Sequence, residues 1–410
     1  MKKVLLCAFA AILSMTNSIA QEVDELGYTT VELTTSSGYS DRVFFDLSEN
    51  HIESQSANNW DVAFYRVSAM DFGTRINDAQ NIAVYEASNN VSNWDAISIA
   101  DEASWGEPLY NPDLTENLQE GAFEQGSATY GWGEYNSGTH HIEGAVIFVL
   151  KYLDDESYVK FMIEDYFGGY TFKYAKWNGT SWDATQTKTV ANGTANTYFN
   201  YFSFETNAEV PNNEPEIGAW DLMFTRYWTF YGGIMMYRMA GVIQSPDVSV
   251  VLKEETQATN TFALPSDDEY SNVITTIGHS WKPTSGVHDN VVYYIKQGED
   301  IYRLYFIENG GQTTGNMYFK YKKVVGNMSL VDLNSVKVSA YPNPVVDQLN
   351  ITSKENIQEV KLFNTNGQLV LNTRANSNST SVNVASLKAG VYVAQVTTAK
   401  GTQTIKVIKK

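Results

Sequence analysis

The strongest constraint on how this chain folds is a motif that occurs twice. Trp60-Asp-Val-Ala-Phe-Tyr-Arg66 returns as Trp220-Asp-Leu-Met-Phe-Thr-Arg226, 160 residues later. An aromatic run precedes each copy, at 43–47 (VFFDL) and 201–204 (YFSF). Downstream, Ser137-Gly-Thr-His140 matches Ser285-Gly-Val-His288, and each leads into an apolar run ending at Lys151 or Lys296. The stretches 158–164 (YVKFMIE) and 302–308 (YRLYFIE) follow, and each half closes on an aromatic/Lys run, Phe172-Lys-Tyr174 and Phe319-Lys-Tyr321. Landmarks in one order predict two homologous units, 25–190 and 195–325, joined by a Thr-, Asn- and Ala-rich stretch at 187–197.

Both units are written in strand grammar. Val, Ile, Tyr, Phe and Thr fall in short runs broken by Gly, Asn, Asp and Ser, so each unit is expected to be an all-β sandwich or partly closed antiparallel sheet. The stretch 91–103 is the best helical candidate, and a weak one. On a strand, alternation puts Trp60, Val62 and Phe64 on one face and Asp61, Ala63 and Tyr65 on the other. Arg66 then shares the Trp60 face. The motif reads either as a core strand with satisfied ions or as a ligand-holding element.

Composition changes abruptly near residue 336. Residues 21–336 carry 44 acidic and 17 basic residues and 50 of the 54 aromatics, whereas 337–410 carry three acidic and nine basic residues. A boundary is therefore expected at 325–336. The acidic balance, −19 for the whole chain, disfavours nucleic acid as a partner. At the N-terminus, Lys2-Lys3, the apolar run 4–13 and the small residues before Ala20 predict a signal peptide, 1–20, too short to span a membrane. Cys7, the only cysteine, falls within it, so the mature chain would have no thiol chemistry. No later run is long and apolar enough for an integral membrane segment.

The C-terminal segment 337–410 reads as about seven short strands, a small immunoglobulin-like β-sandwich. Tyr341-Pro-Asn-Pro344, the hairpin LFNTNGQLV (362–370), LKAGVYVAQV (387–396) and a basic last strand resemble the C-terminal sorting domain of type IX secretion substrates. That resemblance implies passage across the outer membrane of a Bacteroidetes cell, the secretion machinery as a partner, and a secreted or cell-surface location.

The aromatic strand, the Trp-Asp motif, the run VVYYIK…GEDIYRLYFIE (291–308) and YFKYKK (318–323) resemble in their order the HmuY family of secreted haem-binding proteins. The second unit does so more closely than the first. The resemblance implies two tandem HmuY-like antiparallel β units, with haem as cofactor and haem or a haem-carrying protein as partner. The family's axial histidines lie between the Trp-Asp strand and the counterpart of 291–296. The candidates this implies are His140, His279 and His288, with His141 adjacent. The Met235-Met236 pair, close to Met239, offers thioether ligands, and Met70 stands in the comparable place after the first motif. For each of these the alternative is an ordinary structural role.

No phosphate loop, Gly-x-Ser-x-Gly elbow or His-Glu-x-x-His pair occurs, so no enzymatic activity is expected. Asp154-Asp155 and Asp267-Asp-Glu269 read as solvated turns. The expected function is haem binding outside the cell; the alternative is a haem-free ligand-binding or adhesive β protein of the same fold.

Overall fold

The structure, a computed structural model, describes residues 23–325, 338–364, 367–398 and 401–410. The expected signal peptide, with Cys7, lies outside the described residues. The chain divides into two compact units at Gly326/Asn327, beside the composition break. It is all-β.

The first unit is a stack of four antiparallel sheets, and the chain crosses the stack and returns. It starts in outer sheet I with β1 (Thr29–Thr34) and moves to sheet II with the hairpin β2 (Asp41–Asp46) and β3 (His51–Ser56). Sheet III takes β4 (Val62–Tyr65) and β5 (Thr74–Ile76). The far outer sheet IV holds β6 (Ile82–Ser88), β7 (Gly133–Asn136), β8 (His141–Gly144), β9 (Ile147–Tyr152), β10 (Ser157–Tyr166), β11 (Gly169–Lys176) and β12 (Gln186–Ala191). The path then reverses. β13 (Phe199–Ser203) and β14 (Ala208–Val210) return to sheet III, and β15 (Leu222–Tyr231) and β16 (Met235–Gln244) to sheet II. β17 (Ser249–Glu254), β18 (Val291–Gln297), β19 (Asp300–Asn309) and β20 (Asn316–Val325) complete sheet I.

The burial pattern gives the layers. Val43, Phe45, Leu222 and Phe224 of sheet II share a core with Val31, Tyr293, Leu304 and Phe319 of sheet I. Val62, Phe64 and Phe202 of sheet III share another with Phe148, Phe161 and Phe172 of sheet IV. Between the middle sheets lies a third layer, with Phe44, Tyr227 and Ile243 on one side and Trp60, Ala63 and Tyr201 on the other.

The strand pairing crosses the expected partition into 25–190 and 195–325. The aromatic run 43–47 does not pair with the Trp-Asp strand that follows it; Phe45 faces Leu222 and Val43 faces Phe224 in sheet II. Reciprocally, Asn200 faces Phe64 and Phe202 faces Val62 in sheet III. β1 likewise lies against β20, in the place that β12 takes against β11. Each sandwich is thus assembled from both halves of the sequence. The cause is local: only 57–61 separates β3 from β4, so the chain steps between the facing middle sheets instead of turning back within one.

Three smaller expectations change. Residues 91–103 form two 3-10 turns, Val91–Ala96 and Ile99–Ser104, which seat Trp94 and Trp105 on the outer face of sheet IV. The joining stretch 187–197 is partly the edge strand β12. Trp60 stands on the face opposite Val62 and Phe64, because the chain bends at residue 61 and the strand begins at Val62.

The second unit has five described strands: β21 (Val338–Tyr341), β22 (Gln348–Asn364), β23 (Leu369–Asn383), β24 (Gly390–Thr398) and β25 (Gly401–Lys409). The alternating runs at 349–351 and 360–362 are the two ends of one strand, β22. That strand carries register shifts near Ile357 and bends, as bulged strands do. Its core joins Leu349, Ile351, Val360, Leu362, Ala394 and Val396.

Candidate functional site

The Trp-Asp motif is a stitch between the exchanged strands. Asp61 Oδ2 accepts from Phe204 N at 2.6 Å, and Asp221 Oδ2 accepts from Leu47 N at 2.7 Å. The backbone repeats the arrangement: Asp61 N donates to Phe202 O and Asp221 N to Phe45 O, each at 2.9 Å. Trp60 meets Tyr201 edge-on at 4.8 Å and Trp220 meets Phe44 edge-on at 5.3 Å. Asp61 also accepts from Tyr152 Oη and Gln80 Nε2. Burial raises both carboxyls, Asp221 to about 7. Arg66 closes its side by donating to Asn200 Oδ1 at 2.6 Å. These residues hold the fold together.

The second motif strand continues beyond Arg226. β15 and β16 form a hairpin of ten residues a side, closed by Gly232 and Gly233, both at positive φ. Cross-strand partners share a face, so Tyr227 with Met239, Thr229 with Tyr237 and Tyr231 with Met235 line one side. Phe230 with Met236 line the other. The tip is open: Phe230, Tyr231, Ile234, Met235 and Tyr237 are all exposed.

His279 stands against the first of these faces. It is half-buried; its Nδ1 lies 2.9 Å from Tyr227 Oη and its ring 5.9 Å from that of Tyr231. Burial, and secondarily Lys282, lower its pKa, so the imidazole is neutral at pH 7. A neutral imidazole whose Nδ1–H donates to a hydroxyl offers Nε2 as a ligand atom. The structure therefore groups His279 with Met235 and Met239 on one aromatic face and puts Met236 on the opposite one.

The other candidates lie elsewhere. His140 sits at the exposed turn into β8, at φ 64°, with Nδ1 2.6 Å from Tyr135 Oη. Its neighbour His141 bonds Asp165 at 2.7 Å and stacks on Phe167. His288 is exposed before β18, its carbonyl accepting from Gln257 Nε2. The shared Ser-Gly-x-His landmark is thus a pair of surface loop segments on opposite outer sheets, and it brings no two ligands together. Met70 is 86% exposed on the loop after β4. What sequence reading missed is the aromatic bed of Tyr227, Tyr231 and Tyr237; the Gly232-Gly233 turn between two alternating runs is the signal that marks it.

Haem asks of a protein an axial nitrogen or sulfur and a flat apolar surface, and the His279 face supplies both kinds of group. The face is open on one side, unlike a closed pocket. Asp267-Asp-Glu269 is a 3-10 turn whose acids pair with Lys296 and Lys253, and Asp154 accepts from Asn81 Nδ2.

Among solved structures, the chain is similar to apo PinO from Porphyromonas gingivitis, at 10% identity over 72% of this chain and 98% of that one, with a TM-score of 0.27. PorZ, a surface component of the type IX secretion system of Porphyromonas gingivalis, gives 12% identity over 67% of this chain and 44% of that one, with a TM-score of 0.17. A polysaccharide lyase gives 10% identity over 86% and 40%, with a TM-score of 0.16. No curated protein matches. No helix among the described residues is long and apolar enough to cross a membrane. Residues 339–410 match the family described as secretion system C-terminal sorting domain, which addresses this protein through type IX secretion to the cell surface or outside.

Proposed function

We propose that the four-sheet region is a haem-binding module that the sorting domain delivers outside the cell, acting by binding and not by catalysis. The observation that carries the reading is His279: a half-buried histidine held neutral, oriented by Tyr227 Oη and set against the face that also presents Tyr231, Met235 and Met239. Bound haem would supply an iron centre. His279 would hold it through a ring nitrogen, Met235 or Met239 would offer a thioether sulfur, and the tyrosines would form the apolar bed.

Hemin titrated into the mature protein is expected to give a saturable Soret shift at one equivalent. His279→Ala is expected to abolish that shift, while His140→Ala and His288→Ala leave it intact. A featureless wild-type titration, or full retention in His279→Ala, overturns the assignment. The exposed tip residues Phe230, Tyr231, Ile234 and Tyr237 favour one second reading, a haem-free adhesive surface. It predicts loss of glycan or protein binding in Phe230→Ala/Tyr231→Ala with no hemin signal at all.

A further inference from the structure

A cavity of about 60 Å³ lies between sheets II and III, walled by residues from both halves of the chain. It is larger than the roughly 10–15 Å³ that one water needs. Four of its lining residues carry a buried polar atom with no hydrogen-bond partner among the described residues: Arg42 Nε, Trp60 Nε1, Trp220 Nε1 and Arg226 Nε. All four are N–H donors. Arg42, Trp60 and Trp220 are more than nine-tenths buried. Donors left this way in a dry interior are unfavourable unless something accepts from them.

The acceptors already in the wall are engaged elsewhere. Glu214 takes Phe199 N at 2.7 Å and Tyr201 Oη at 2.8 Å. Asp78 takes Asn111 Nδ2 at 2.8 Å, and the Asn111 carbonyl takes Ile76 N and Ala122 N. The charge balance points the same way. The lining holds three guanidinium groups (Arg42, Arg75 and Arg226) and two carboxyls (Asp78 and Glu214), so its formal charge is positive even with both acids ionised. The Arg42 guanidinium is also fixed in place, its carbon 4.6 Å from the Tyr201 ring and 5.2 Å from the Trp60 ring.

We infer that this cavity is a binding site for a small oxyanion, phosphate or a short carboxylate, gripped by Arg42, Arg226 and the two indole N–H groups. Such a ligand accepts hydrogen bonds from several directions and brings the negative charge that the wall lacks. Because the wall is drawn from β2, β4, β13 and β15, the ligand would also clamp the two middle sheets together.

The test uses the mature chain, with inorganic phosphate and acetate as probes at constant ionic strength set by chloride. Tryptophan fluorescence is the reporter, since Trp60 and Trp220 line the site. A saturable change with either probe, weakened at least tenfold in Arg226→Gln and in Trp220→Phe, is the expected result; whichever probe binds tighter identifies phosphate or carboxylate as the source. Crystals of the wild-type protein grown with selenate provide a readout that does not depend on any variant. An anomalous selenium peak inside the cavity is expected. Water alone in the cavity, or no saturable response to either probe, overturns the inference.

Discussion

The carboxylate of Asp61 accepts a hydrogen bond of 2.6 Å from the backbone N–H of Phe204, a residue 143 positions further along the chain. Its counterpart Asp221 does the same for Leu47, 174 positions back. Each aspartate ends one motif turn and captures the end of an aromatic strand from the other half of the sequence. The carboxyl is more than a surface acceptor, because both residues are buried.

Removing these stitches has unequal effects. Asp61→Ala leaves Phe204 N and Tyr152 Oη without their acceptor and takes from Gln80 Nε2 one of its two, the Trp60 carbonyl remaining, while Asp221→Ala leaves Leu47 N. A buried polar group left unsatisfied is unfavourable by about 1–3 kcal/mol. Urea denaturation is therefore expected to show a larger loss for Asp61→Ala than for Asp221→Ala, with Asn in place of either Asp recovering part of it. Midpoints equal to wild type in both Ala variants would contradict the stitching role.

The fragment 195–325 is expected not to fold alone. It lacks β1, which pairs with β20, and the β2–β3 hairpin, which pairs with β15. Near-ultraviolet circular dichroism of its many aromatics should be flat, and should recover when a peptide spanning 23–57 is added. A cooperative, native-like fragment without that peptide would show that the unit is contiguous.

Stability should fall as pH rises toward neutrality. Burial raises Asp78, Glu124, Glu214 and Asp221 each to about 7, against roughly 4 in an unfolded chain. Between those values the folded state holds more protons than the unfolded one. The contribution of these groups is complete below about pH 4 and is lost by about pH 7, with a slope of up to ~1.4 kcal/mol per pH unit for each group. Urea midpoints are expected to be higher at pH 5 than at pH 8, and Glu214→Gln should flatten the difference. A midpoint that rises from pH 5 to pH 8 would contradict the protonated core.

Much of this was legible in the sequence, and the failures have physical causes. The sorting domain was readable because its signals are local: turn residues, short alternating runs and a composition break. Strand identity in the four-sheet region was readable too, since alternation marks which residues are half-buried. Pairing was not. The runs 43–47 and 201–204 carry the same aromatic pattern, so either fits beside either Trp-Asp strand, and the register is fixed only by the short 57–61 link and the aspartate stitches. The same limit applies to the candidate ligands. His140 and His288 share a motif, but the motif marks loops on opposite outer sheets. His279 has no counterpart motif and is placed by the hairpin it leans on.

Deleting 338–410 removes the address and leaves the four-sheet region whole, since the two units are separately compact. The truncated protein is expected to be retained inside the outer membrane with an unchanged circular dichroism spectrum for 23–325. Its appearance in the medium at wild-type levels would contradict the role of the segment.

The central cavity depends on strand exchange, so the most direct measurement is a disulfide test in residues 21–410, which carry no cysteine of their own. Val43 lies opposite Phe224 in the exchanged sheet, whereas a contiguous unit would put it opposite Phe64, the residue that faces Asn200 here. Peptide mapping under oxidising conditions is expected to find the 43–224 cross-link in Val43→Cys/Phe224→Cys and no intramolecular link in Val43→Cys/Phe64→Cys. The reverse result, a 43–64 cross-link without 43–224, would contradict the exchanged fold.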